Sequence, residues 1–236
     1  MKPIAILTLL LTLLLTLLTT ARADDGPKNV QIDLEFVEVF EPVITAILHD
    51  AKPPKSGAAW KTTIDKLLKD EKARVTSSLS VTTKSGQRAT VESVQELTYA
   101  TEFDPANGRA KESPAVPAQV TGSDIPTPTA FEMRPVGTRF EVEPTVGPDG
   151  KTIDLNIAPE FTRKVGESVH QEIPNGTQTL TTMRQPVFHT AKSATSVTLS
   201  DGSSSLIGIL IPHNEAGEND NTRRLLCVVT ARLIDP

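Results

Sequence analysis

Residues 30–36 alternate strictly, with apolar Val30, Ile32, Leu34 and Phe36 separated by polar Gln31, Asp33 and Glu35. Successive side chains of a strand point to opposite faces, so a period of two fits a half-buried strand and excludes a helix here. The apolar parity then passes to Val37 and Val39, which predicts a bulge or an edge near Phe36. The same period returns at Val75, Ser77, Leu79 and Val81, and again at Ala89, Val91, Leu97 and Tyr99. With Lys84-Ser85-Gly86-Gln87 as a turn between them, these segments predict a hairpin or two strands of a meander. A second hairpin is predicted from Phe140, Val142 and Val146 on one arm and Ile153, Leu155 and Ile157 on the other, turning at Pro148-Asp149-Gly150. Thr162 to Gln185 is polar, with Asn175-Gly176 at its middle, and reads as a protruding hairpin. Ser196 to Ser200, an Asp201-Gly202 hairpin turn, the apolar run Leu206 to Ile211, a polar loop from Pro212 to Asn221 and a last strand, Leu225 to Ile234, complete the pattern. That last strand is apolar on both faces at its start.

One helix interrupts the strands. Trp60, Ile64, Leu67 and Leu68 recur at i, i+4, i+7 and i+8, while Lys61, Asp65, Lys66 and Lys69 turn outward. Pro53-Pro54 keeps the helix from starting earlier, and Ser56 is the candidate N-cap. Between Phe103 and Pro135 the composition changes, with prolines at 105, 114, 117, 126, 128 and 135. Proline cannot donate to a strand ladder, so this interval is predicted as one long exposed loop. The fold class is therefore mainly β, with one principal amphipathic helix.

The N-terminus reads as a cleavable export signal, residues 1–23. Lys2 gives the positive start, Ile4 to Leu18 is apolar apart from three threonines, and Ala21-Arg22-Ala23 offers the small-x-small cleavage pattern. As a helix the apolar run spans only ~22 Å, short of a ~30 Å hydrocarbon core, which disfavours a retained anchor. Residues 24–236 are then the working domain. The whole chain carries a net charge of −5. That balance disfavours a nucleic-acid partner, which needs a basic face. Cys227 is the single cysteine, so no disulfide framework exists, and its apolar surroundings mark a buried strand residue.

No pattern of catalytic residues emerges. His49, His170, His189 and His213 stand at no metal-ligand spacing from one another or from Cys227, and each reads as a loop or surface residue. There is no HExxH, GxSxG, P-loop or GxGxxG. Asp33, Glu35 and Glu38 lie close in sequence, but alternation places the first two on a solvated face. Asp149-Gly150 and Asp201-Gly202 lack the alternating acidic ligands of a calcium loop and read as hairpin turns. Asn175-Gly176-Thr177 fits a glycosylation sequon, which matters only in a host that glycosylates. No cofactor and no metal is expected.

The order of elements resembles the C-terminal domain of the bacterial secretins, the outer-membrane rings of type II and type III secretion systems and of type IV pili. Val30 to Val39, ending in Glu38-Val39, is similar to the family's opening strand. Gly86-Gln87-Arg88-Ala89-Thr90-Val91 and Tyr99 are similar to its "NGQ-x-A-x-I … PY" stretch. Val136-Gly137-Thr138-Arg139-Phe140-Glu141-Val142-Glu143-Pro144 resembles "VG-x-x-L-x-V-x-P", and Asp149-Gly150 through Ile157 resembles the "dG-x-I-x-L-x-I" that follows. Pro186-Val187-Phe188-His189-Thr190, Asp201-Gly202 and Leu206-Ile207-Gly208 resemble later segments. The resemblance thus singles out Glu38, Gly86, Tyr99, Gly137, Pro144, Gly150, Pro186, Gly202 and Gly208 as structural positions, with Gly137, Gly202 and Gly208 supplying turns or close strand approach.

The resemblance implies a homo-oligomer whose strands complete a shared barrel, partnered by other secretion or pilus proteins, and associated with the outer membrane or periplasm of a Gram-negative-type bacterium. It implies passage of protein or pilus and no enzyme activity. Few residues separate Asp24 from the opening strand, which implies a short form without N-terminal ring domains. Phe40 to Ala59 is short where full secretins carry membrane-lip hairpins, and the 103–135 interval lacks a clear strand pair where a gate hairpin is expected. Aromatic residues make up 4% of the chain, few for the girdles of a membrane barrel. Two other readings remain: a soluble periplasmic binding or scaffold module with a secretin core, and a secreted hydrolase.

Overall fold

The computed structural model describes residues 28–104, 127–175, 178–214 and 216–234, with the backbone alone at 170–175 and 178–182. The export segment 1–23 lies outside the described residues, as do residues 105–126 and Gly176-Thr177 of the sequon. In chain order the elements are β1 (Asn29–Phe40), α1 (Glu41–Leu48), α2 (Gly57–Lys69), β2 (Ala73–Lys84), β3 (Ala89–Asp104), β4 (Thr127–Val146), β5 (Thr152–Asn175), β6 (Gln178–Lys192), β7 (Thr195–Ser200), β8 (Ser203–Leu210) and β9 (Arg223–Ile234).

Two antiparallel sheets pack face to face. The first has the order β2-β1-β9-β8, and the second runs β3-β4-β5-β6 with β7 also paired to β5. Val30, Ile32, Leu34 and Phe36 of β1 and Leu225, Cys227, Val229 and Ala231 of β9 meet Phe140, Val142, Ile153, Leu155 and Phe161 of the second sheet. Phe36 stacks on Phe161 with ring centroids 5.3 Å apart, joining the sheets at their centre. The other face of the first sheet is covered at one end by helices. Val37, Val39, Leu226 and Val228 pack there against Ile44 of α1 and Ile64 and Leu67 of α2.

That helical cover explains the shift in apolar parity along β1. Val37 and Val39 share a face with Gln31, Asp33 and Glu35, and become apolar where the helices begin. A register shift does fall between Phe36 and Val37, but the extra residue is Thr76 of β2, whose hydroxyl donates to the Phe36 carbonyl at 3.0 Å. β9 is buried on both faces at Leu225–Val229 for the same reason: one face meets the second sheet, the other meets the helices.

The helix predicted around Trp60 to Leu68 is α2, and the Ser56 hydroxyl accepts from the Ala59 N–H at 3.2 Å as its N-cap. At its other end Lys72 N donates to Leu67 O and Glu71 N to Leu68 O, the paired bonds of a Schellman turn. Glu71 occupies the left-handed position there, with φ 57°. Glycine adopts that conformation without the Cβ penalty, so Glu71→Gly is expected to stabilise the domain by about 0.5–1 kcal/mol, read as a higher urea midpoint.

Three sequence expectations are corrected. β2 and β3 are not a hairpin or neighbours in a meander, because each finds its register elsewhere, β2 on β1 and β3 on β4. The turn at 85–88 is a corner between sheets, held where Ser85 N donates to Lys28 O and Gly86 N to Pro144 O. Asp201-Gly202 is likewise a corner and not a hairpin turn: it links β7 of the second sheet to β8 of the first, and Asp201 Oδ1 accepts from Leu233 N at 2.7 Å. Asp149-Gly150 does turn the β4–β5 hairpin. The Asp149 carboxylate accepts from the Thr152 hydroxyl and from the Lys151 and Thr152 amides, and these bonds hold its pKa down at about 2.

The third correction concerns the Pro-rich interval. Phe103 and Asp104 end β3 and Thr127–Pro135 belong to β4, so both described ends of the interval are paired strand and not loop; the rest of it, 105–126, lies outside the described residues. Pro128 pairs with Phe103 and Pro135 with Glu96. Both prolines are tolerated because β4 meets β5 only from Gly137 to Val146; before Gly137 its second side is an edge.

Candidate assembly surface

β4 has 20 residues and β5 has 24, yet they pair over only ten, Gly137–Val146 against Ile153–Thr162. At ~3.3 Å per residue the shared region spans ~33 Å, and each hairpin continues beyond it by a comparable distance. Two arms therefore leave the sandwich at one end: β3–β4 from Val94/Gly137 outward, and β5–β6 from Thr162/Thr190 outward.

Gly137 marks the departure. Its φ is +140°, and a Cβ there would strike the Ser93 carbonyl and sit 2.8 Å from the Val94 Cα. The two arms touch at their bases. The Tyr99 ring lies 5.6 Å from that of Phe188, its hydroxyl donates to Glu132 at 3.0 Å, and the Arg134 guanidinium stands 4.8 Å over Phe188. The hydrogen bond to Glu132 raises the Tyr99 pKa above the ordinary tyrosine value. The opposite face of the β3–β4 arm exposes two large apolar side chains, Phe131 at 60% and Met133 at 59%, and Val94 lies farther along the same face, opposite Gly137. The strand register sets this face, because Phe131 lies opposite Ala100 and Met133 opposite Thr98, whereas Glu132 lies opposite Tyr99. In the second sheet β3 and β6 are the outer members of the path, and their free sides present unpaired backbone groups.

The remaining positions singled out in the sequence do not converge on one site. Glu38 is buried at the end of β1, paired with Arg74 at 3.2 Å and Arg223 at 3.1 Å. Gly86 and Gly202 lie in the two corners, Gly150 in the β4–β5 turn, Pro144 under Gly86, and Pro186 opposite Glu167 in the β5–β6 arm. Gly208 stands at the register shift in β8 with open space beside it, so it supplies neither a turn nor a close approach.

Chemistry-bearing groups are few. Among the described residues no three His, Cys, Asp or Glu side chains gather to hold a metal. Cys227 is fully buried, and burial pushes its thiol up to about 12. Native protein is therefore expected to resist iodoacetamide near neutral pH and to react fully only in denaturant, as mass spectrometry will show. His189 and His213, read as isolated loop or surface residues, instead stack at 3.8 Å across β6 and the β8–β9 connection. Their separation in sequence hides that contact, and no local signal marks it.

The arrangement defines a class: a helix-backed β-sandwich with two strand arms and open edges, suited to assembly with further strands. The chain belongs to the secretin family. The model for "Bacterial type II and III secretion system protein" matches residues 66–225, more than half the chain; β1, with Glu38, precedes that span. Solved structures similar to it include the type II secretin GspD of enteropathogenic Escherichia coli (15% identity, TM-score 0.43, 96% of this chain and 74% of that one). The secretin InvG of the Salmonella SPI-1 type III secretion injectisome gives 13% identity and a TM-score of 0.46 over 95% of this chain and 70% of that one. The type IV competence pilus secretin PilQ of V. cholerae gives 14% and 0.43 over 91% and 63%. A search of curated proteins found no match. Family membership rests on the sequence match alone.

Proposed function

We propose that the chain is exported by its N-terminal segment and oligomerises through its strand arms in the envelope of a Gram-negative-type bacterium. There it takes part, without catalysis, in the passage of secreted protein or a pilus across the outer membrane. The observation that supports this reading most strongly is the pair of arms. Each runs well past the sandwich, has an open edge, and in β3–β4 carries an exposed apolar face at Phe131 and Met133. Open edges and apolar faces of this size are liabilities in an isolated chain and are removed when neighbouring strands complete a barrel. No helix among the described residues is long and apolar enough to cross a membrane, a statement that does not extend to strands.

A second reading has one observation in its favour. The connection from β1 to α2 is occupied by α1, which packs on the first sheet through Ile44 and extends no hairpin outward. That suits a periplasmic scaffold module with a secretin core. Membrane fractionation separates the two. An integral outer-membrane pool that resists alkaline extraction supports the ring, and clean release with the periplasm supports the module.

A further inference from the structure

The β8–β9 connection crosses over the base of the β5–β6 arm. Gly217 lies against Val187 and Val165, with a Cβ there 3.2 Å and 3.8 Å from their methyl groups, and the His213 ring stacks on His189 of β6 at 3.8 Å. On β5, Arg163 is the cross-strand partner of His189. The connection is closed on itself by the His213–Asn219 bridge and by Asn214, whose side-chain oxygen accepts from the Glu218 N–H and whose own N–H donates to the Glu218 carbonyl. It is therefore a preformed strap that grips the arm, among the described residues, through a small apolar contact, one pair of imidazoles and the attraction between Asp220 and Arg163.

We propose that this strap, which carries His213 and Gly217, is a pH-released clasp on the β5–β6 arm, held while His189 is uncharged and let go when His189 takes up a proton. This goes beyond the assembly role and does not depend on it. Closure encloses the His189 ring against the His213 ring and opposite the Arg163 guanidinium, so a proton on His189 puts a positive charge where water is displaced and beside a second cation. The charged group that acts on His189 is Arg163 from β5; Asp220 of the strap acts on Arg163 and pairs with Arg223 at 3.8 Å. Glu215 lies outside the described residues. Nδ1 of His213 and Nε of Arg163 are enclosed with no hydrogen-bond partner among the described residues.

Burial first, then His213 and Arg163, hold the His189 pKa below the ordinary histidine value. The closed form thus binds fewer protons than the open one. Closure is complete above the ordinary value of about 6.5 and is lost as pH falls through the lowered value.

Hydrogen exchange of the mature full-length chain, corrected for intrinsic rates, tests this. Between about pH 7.5 and about pH 5, peptides covering 211–222 and 185–192 are expected to lose about ten-fold in protection while the β1 peptide does not change. His189→Phe keeps a stacked ring without a titrating nitrogen, and its strap is expected to stay protected at both values. A native strap indifferent to pH, or any other pattern in His189→Phe, overturns the proposal. The native imidazole signals give a check that needs no variant. His189 and the strap amides must change with one midpoint, below the ordinary histidine value, and separate midpoints overturn it.

Discussion

Phe36→Ala is expected to destabilise the domain by about 3–5 kcal/mol, the usual cost of truncating a fully enclosed phenylalanine. Phe36 is 1% exposed and carries the ring-to-ring contact with Phe161 between the two sheets. Its loss removes apolar surface from both sheets at once and leaves a cavity that neither can fill, because the β1–β9 ladder continues in unbroken register past that point. For a domain of this size the melting temperature should fall by roughly 10 °C, on about 2–4 °C per kcal/mol. Phe36→Leu keeps most of the volume and should cost no more than about 1.5 kcal/mol. Urea denaturation of the two variants measures the difference. A cost below about 1 kcal/mol for Phe36→Ala would contradict the two-sheet core.

Gly137→Ala is expected to cost about 3 kcal/mol, although it adds one methyl group. Holding an L-residue in a conformation that glycine alone takes easily costs about 1–3 kcal/mol, and overpacking adds a comparable amount. The atoms in the way are the Ser93 carbonyl and the Val94 Cα, which belong to the backbone of β3. They cannot yield without disturbing the β3–β4 ladder where the arm leaves the second sheet. Gly208→Ala is the control. It meets open space, and should stay within about 0.5 kcal/mol. Thermal unfolding of the pair isolates close strand approach from the generic effect of removing a glycine.

Much of the strand content could be read from residue order because β1, the β4–β5 hairpin and β9 bury one face or both and their side chains record it. Val142, Ile153 and Leu155 alternate with polar neighbours because they enclose the core from the second sheet. The length of β3–β4 was hidden for the opposite reason. From Thr127 to Val136 the strand has one neighbour and little core, so Pro128 and Pro135 carry no penalty and imitate a loop. Sheet membership was hidden too. The turn signals at Ser85-Gly86 and Asp201-Gly202 specify reversal of the chain, while only the partner strands decide whether it folds back or crosses to the other sheet. α1 was missed because Ile44 is the one fully buried residue in its eight, too few to set a helical period. The assembly surface follows from register, which sets Phe131 and Met133 on one side and Glu132 and Arg134 on the other; the contact of Arg134 and Tyr99 with Phe188 joins segments far apart in sequence.

In the proposed function the arms join copies of this chain through their strands. Electron microscopy of the mature chain, purified in mild detergent without crosslinker, addresses it directly. Closed rings of uniform diameter are expected, together with their loss when the arm is made polar by Phe131→Asp and Met133→Asp. A chain that stays monomeric across the accessible concentration range, with the sandwich intact by circular dichroism, would contradict the account.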